Sequence, residues 1–192
     1  GAPTDDYLDF HHPLQRAIRE RLAQACGVPE GAMRSGIDGC SAPNHAIPLR
    51  SLALGYARLG QGADGTGELA PALGELSAAM LAHPELVSGT GRQDLAIMRA
   101  APDDWIAKAG ADGVQAIAVR SAGIGIAVKI SDGNPRATVS AAIGVLDALG
   151  LMNAAQREAL ARFARPQIHN ARGLRVGEVR PAFALKAARA SP

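Results

Sequence analysis

Apolar positions recur along this chain with two different periods, and the change between them falls at Trp105. Before it the helical period prevails. Leu14, Ile18, Leu22 and Cys26 stand four apart with Arg16, Arg19, Glu20 and Arg21 between them. That spacing predicts an amphipathic helix which opens at Pro13 and is stopped by Gly27 and Pro29. Leu49, Leu52, Ala53, Tyr56 and Leu59 predict a second helix, followed by a glycine-rich surface turn from Gly60 to Gly67. Further helices are predicted at about 69–82, around Leu73, Leu76 and Met80, and at about 92–101, around Leu95 and Met98. After Trp105 the apolar runs shorten to Trp105–Gly110, Val114–Arg120 and Gly125–Ile130. Asp112-Gly113, Ala122-Gly123 and Asp132-Gly133 bound them, dipeptides of the kind that turn one antiparallel strand into the next. The helical period returns from Pro135, with Val139, Ile143, Leu146 and Leu149 on one face and Gly150 past the end. A shorter helix at 154–164 and an extended tail with Pro166 and Pro181 close the chain.

Helices, then an antiparallel meander, then a long helix able to lie across it make an α+β architecture. The expected organisation is one partial domain over 1–192: a mainly helical part (1–104) with the loop 36–48, a meander with C-terminal helices (105–164), and a tail (165–192). With 47% hydrophobic and 20% charged residues the chain can bury a core and is not a disordered segment. Aromatics are only 3%, so the interior is built from small side chains, and the stacking surfaces of RNA recognition are missing. Net charge is +2, with arginines scattered among acids and the excess after Arg157, which argues against nucleic acid as a partner. No run of about 18 apolar residues is present, so no membrane span is expected. The first residues do not resemble a signal peptide, and Cys26 and Cys40 fit reduced thiols, both consistent with a cytoplasmic protein.

Candidate chemistry is concentrated between the first two helices. Asp38, Cys40 and His45 fall in a polar stretch where Gly36, Gly39, Pro43 and Pro48 are expected to exclude regular structure. A polar irregular segment anchored on a buried helix is a common way to build a site. The G-x-G at 89–91 is not a nucleotide site, since no strand precedes it and no third glycine follows. Cys26 belongs to the apolar stripe and is expected in the core; His45 is expected to hydrogen-bond within its own loop, and Lys129 to face solvent. Arg92 and Asp94 are expected to form an ion pair at a helix start. His11, His12, His83 and His169 show no metal-ligand spacing.

SGIDGCSAP (35–43), SGTGRQD (88–94), AKAGAD (107–112) and GIAVKISDG (125–133) occur in this order and at intervals that resemble one family, the rhizobial-type L-asparaginases, also called asparaginase II. The likeness covers nearly the whole chain, and its D-G-C-x-A-P element is the most specific part. The resemblance implies a serine β-lactamase and penicillin-binding-protein-like fold, in which a K-T-G element lines the active site from a sheet strand. Lys108-Ala109-Gly110 takes that place here, without the middle hydroxyl. It further implies hydrolysis of L-asparagine to L-aspartate and ammonia by serine–lysine pairs, with Lys108 as a catalytic lysine. Asp38 would hold the substrate's ammonium or amide, with Cys40 beside it. Cys40 would also help to bind zinc, but only with a cysteine and a lysine from a C-S-G-K-H element in the family's N-terminal half. A homodimer is implied when full length.

That C-S-G-K-H element and any S-x-x-K are absent from these 192 residues. The expectation is therefore a C-terminal part of an asparaginase-like protein, inactive alone. A non-catalytic scaffold of the same fold is the alternative from another class. A glutaminase or a β-lactamase-like acyl-enzyme hydrolase is a further one, the latter opposed by the D-G-C element.

Overall fold

The helical spacing that opens at Pro13 becomes α1 (Pro13–Cys26) in the computed structural model, which describes residues 3–187. The His12 imidazole caps it, its Nδ1 accepting the Leu14 N–H at 3.1 Å, and Gly27 closes it at φ 62°. The buried face differs from the predicted stripe. Cys26 is in a small core with Ala23, Val28 and Met33, but Leu14 and Ile18 are 44% and 45% exposed while Gln15 is buried, its amide donating to the Tyr7 carbonyl at 2.8 Å.

The stretch expected to be irregular is instead a hairpin. Strand β1 (Arg34–Ile37) pairs antiparallel with β2 (Pro43–Ala46), Ile37 facing Pro43 and Ser35 facing His45. Pro43 is tolerated because it is the first residue of its strand, and Pro48 lies just outside the next helix as its N-cap. Gly36 lies within β1 opposite Asn44, and only Gly39 falls in the turn between the strands.

Helices α2 (Leu49–Gln61), α3 (Ala70–Ala82), α4 (Pro84–Ser88) and α5 (Gln93–Ala100) follow. The five residues of α4 are too few to show a period, and no helix is predicted there. The predicted surface turn is partly interior, since Gly60 and Gly62 are buried and a Cβ on Gly60 would stand 3.0 Å from that of Ala118.

The meander is as predicted: β3 (Trp105–Gly110), β4 (Val114–Val119) and β5 (Ile124–Lys129) form one antiparallel sheet in the order β3-β4-β5. Its two faces follow from the period of two. Trp105, Ala107, Ile117, Val119 and Ile126 bury one face against Ile97 and Met98 of α5 and against Ile143 and Leu146 of α6 (Pro135–Ala148). Leu160 of α7 (Ala154–Ala164) joins them. Ile106 and Ala118 bury the other face under Leu59 and Tyr56 of α2. At Gly125 the approach of α2 is closest, since an added Cβ would lie 1.8 Å from the Ala53 carbonyl oxygen. The result is an α+β molecule with helices on both sides of a three-stranded sheet.

Asn134 caps α6 and Asn153 caps α7, the latter in a reciprocal capping box with Gln156 (2.9 and 2.8 Å). The tail is not simply extended. Its residues Gln167–His169 (β6) and Arg175–Glu178 (β7) pair as a second hairpin, and Pro181 packs on α6 at Gly144. The Asn170 side chain holds the reversal, accepting the N–H groups of Arg172 and Leu174 at 2.9 and 3.0 Å.

Candidate active site

Asp38 and Cys40 meet at the tip of the first hairpin. One carboxylate oxygen, Oδ1, accepts both the Cys40 N–H at 2.9 Å and the Cys40 thiol at 2.8 Å. The Ser41 N–H donates to the Asp38 carbonyl at 3.0 Å, and Ser41 takes the left-handed region at φ 68° to close the turn. The thiol bond, more than any other contact, holds the Asp38 carboxyl below its ordinary value, with the Cys40 N–H second. The turn therefore presents an exposed carboxylate with one oriented oxygen, and none of these bonds uses Oδ2. Such a group can hold an ammonium or an amide N–H.

Lys108 is exposed on β3, on the sheet face that carries Ile106 and Ala118, and its Nζ donates to the Ala109 carbonyl at 2.6 Å. Among the described residues no hydrogen bond or ion pair joins Lys108 to Asp38, to Cys40 or to a serine. The molecule forms a groove of about 1060 Å³ between α6, α7 and the C-terminal hairpin, and a cavity of about 150 Å³ beside β2. Neither is lined by Asp38, Cys40 or Lys108.

Asp94 departs most from expectation. It makes no ion pair with Arg92; it is 1% exposed, and its Oδ2 accepts the Ala109 N–H at 2.9 Å while Oδ1 accepts the Gln115 amide at 2.9 Å. A buried carboxylate on the first turn of α5 thus ties that helix to β3 at the residue next to Lys108. Charge-assisted bonds of this kind are the strong ones. The signal available in the sequence was Gln115, a lone amide in the apolar run 114–119, which needs a buried partner. Tyr56 of α2, at the same sheet face as Lys108, has its phenol pushed up to about 12 by burial and, less, by the charges of Asp94 and Cys26.

His45 does hydrogen-bond within its hairpin, to Ser35 Oγ at 2.8 Å, and Lys129 is exposed. Cys26 and Cys40 are both free, the first buried and the second exposed. Among the described residues no group of three His, Cys, Asp or Glu side chains could hold a metal ion. Asp38 and Cys40 offer two donors already bonded to each other, short of the three or four protein ligands of a zinc site. These residues do not fit zinc by themselves, and no chemical step is routed through it.

The family model described as L-asparaginase II matches residues 1–181 of the 192. The chain belongs to the L-asparaginase II family. A comparison with curated proteins gives no match. The matched span takes in every element from α1 to β7, and with them Asp38, Cys40, Asp94 and Lys108. The resemblance carried by the D-G-C-x-A-P and K-A-G elements is thereby established at the level of family. No helix among the described residues is long and apolar enough to cross a membrane.

Proposed function

We propose that this L-asparaginase II chain belongs to an amidohydrolase that converts L-asparagine to L-aspartate and ammonia by serine–lysine chemistry. The family match over residues 1–181 carries the proposal. A serine Oγ adds to the side-chain amide carbon, the partner amine takes the hydroxyl proton and passes it to the departing nitrogen, and ammonia leaves. Water then hydrolyses the acyl ester to L-aspartate, the amine again carrying the proton. Lys108 is the amine that these 192 residues contribute, and Asp38 with Cys40 forms the contact for the substrate's own nitrogen groups. The nucleophile is a serine of an S-x-x-K element that these residues do not contain, supplied by polypeptide outside them. A sheet with helices on both faces and a lysine on a strand supports the serine β-lactamase-like arrangement.

Ammonia release from L-asparagine and from L-glutamine tests this, using the 192-residue chain and the same chain continued upstream to an in-frame S-x-x-K. The expected result is turnover of L-asparagine by the longer chain only, abolished by Lys108→Ala. Turnover by the short chain at an ordinary enzymatic rate, on the order of 1 s⁻¹, would overturn the mechanism. Silence from both chains would favour a binding scaffold of the same fold.

A further inference from the structure

The groove between α6, α7 and the C-terminal hairpin combines apolar surface with positive charge that the fold leaves unmatched. Ala148 of α6, Ala161 of α7, Pro166 and Pro181 present accessible apolar surface to it. One end is closed where the tail crosses α6, so tightly that a Cβ on Gly144 would lie 2.6 Å from the Pro181 ring. The volume of about 1060 Å³ matches the upper end of the range for small-molecule pockets, about 300–1,000 Å³. None of Asp38, Cys40 and Lys108 lines the groove, so its occupancy is independent of the amidohydrolase reading.

The charges along the groove do not cancel. Asp147 is taken by Arg157, whose Nε donates to it at 2.6 Å, and Glu178 is taken by Arg175 at 2.7 Å. Arg162 and Arg165 then remain, both exposed and, among the described residues, in no ion pair. They stand three residues apart at the end of α7, on one side of it. Capping that helix does not occupy them. The Ala161 carbonyl accepts the Arg165 backbone N–H at 3.0 Å, and the Ala164 carbonyl accepts the Ser140 hydroxyl at 2.6 Å. The Arg162 guanidinium rests its flat face over the Phe163 ring at 4.5 Å, which orients it and leaves its N–H edge for an acceptor. An occupant that suits the groove therefore covers apolar surface and brings a carboxylate or similar acceptor to two neighbouring arginines.

We propose that this groove is a binding site for a small organic anion, a carboxylate on an apolar body, with its acid group at Arg162 and Arg165 and its apolar part along Ala148, Ala161 and Pro181.

The test follows the backbone amide resonances of the nitrogen-15-labelled 192-residue chain at constant pH and ionic strength. Sodium octanoate, sodium butanoate and octan-1-ol are titrated separately. Octanoate is expected to give saturating shifts at Gly144, Ala161 and His169 in the millimolar range, with the first hairpin unmoved. A methylene fully taken from water tightens binding about fourfold. The four extra methylenes of octanoate, half covered in an open groove, should make it bind about tenfold tighter than butanoate. Arg162→Gln and Arg165→Gln, both at exposed positions that tolerate the change, are each expected to weaken octanoate severalfold and to leave the weaker binding of octanol as it was. Octanol binding as tightly as octanoate, butanoate matching octanoate, or octanoate unaffected by both arginine variants would each overturn the proposal. So would groove resonances that shift with protein concentration and not with octanoate, which would seat a second copy of the chain there.

Discussion

At Asp38 a single carboxylate oxygen accepts two bonds from one residue, and this sets how the turn behaves with pH. The carboxyl is held below its ordinary value of 3.8, first by the Cys40 thiol and then by the Cys40 N–H, with slight burial opposing and the Ala42 backbone assisting. The unfolded chain therefore takes up its proton at higher pH than the folded turn does. The contribution of these bonds is fully present above the ordinary value and disappears as the pH falls through the lower folded one. Asp38 is exposed, so this orients the group and adds little to global stability. Replacing Cys40 by Ala removes the largest of these contacts. The Asp38 carboxyl should then titrate closer to its ordinary value, followed through its carbon-13 shift. An unchanged midpoint would mean that backbone amides alone hold the carboxylate, and that Cys40 is free for another partner.

At the scale of elements, the tightest approach to any glycine among the described residues is made where a side chain is missing. A Cβ on Gly125 of β5 would lie 1.8 Å from the Ala53 carbonyl oxygen and 2.6 Å from the Ala57 nitrogen, both backbone atoms of α2 that cannot turn aside. Gly125→Ala should push α2 off the sheet at a cost of about 3 kcal/mol, lowering the melting temperature by on the order of 10 °C in a chain of this length. A change within about a degree would show that the two layers are not in hard contact. Gly125 heads a strand in the sequence, yet only the helix across the sheet gives it a reason to be glycine. The same distinction runs through the fold. Strands β3 to β5 are legible because Asp112-Gly113 and Ala122-Gly123 bracket them, which is local information. The first hairpin is not, because Pro43 and the glycines look like breakers until the register shows Pro43 opening its strand. Asp94 is read locally as a helix-start acid. Its real partners, Ala109 and Gln115, lie 15 and 21 residues on, and only the packing of α5 on β3 brings them to it. In the candidate site, the pairing of Asp38 with Cys40 is local, whereas Lys108 is singled out only by its K-A-G context and no hydrogen bond or ion pair among the described residues brings it to them.

For the whole molecule, the layer between α2 and the sheet contains a group whose ionisation opposes folding. Tyr56 packs with Leu59, Ile106 and Ala118, and its phenol is pushed up to about 12 by burial first and by the negative charges of Asp94 and Cys26 after it. In the unfolded chain it titrates near 10.0. Between these values the unfolded chain has released the proton and the folded chain retains it, so the folded state binds more protons and stability falls as the pH rises. The loss is complete only above the folded value and amounts to about 3 kcal/mol. The three lysines and the other ionising groups also respond in this window, so the comparison must isolate Tyr56. Tyr56→Phe does so, because it retains the ring that fills the layer and removes only the hydroxyl. Urea unfolding of both chains at about pH 9 and about pH 11 should show the wild type losing more stability over the interval than the variant. Equal losses would mean that the phenolate reaches water in the folded state, and that α2 does not close over the sheet at Tyr56.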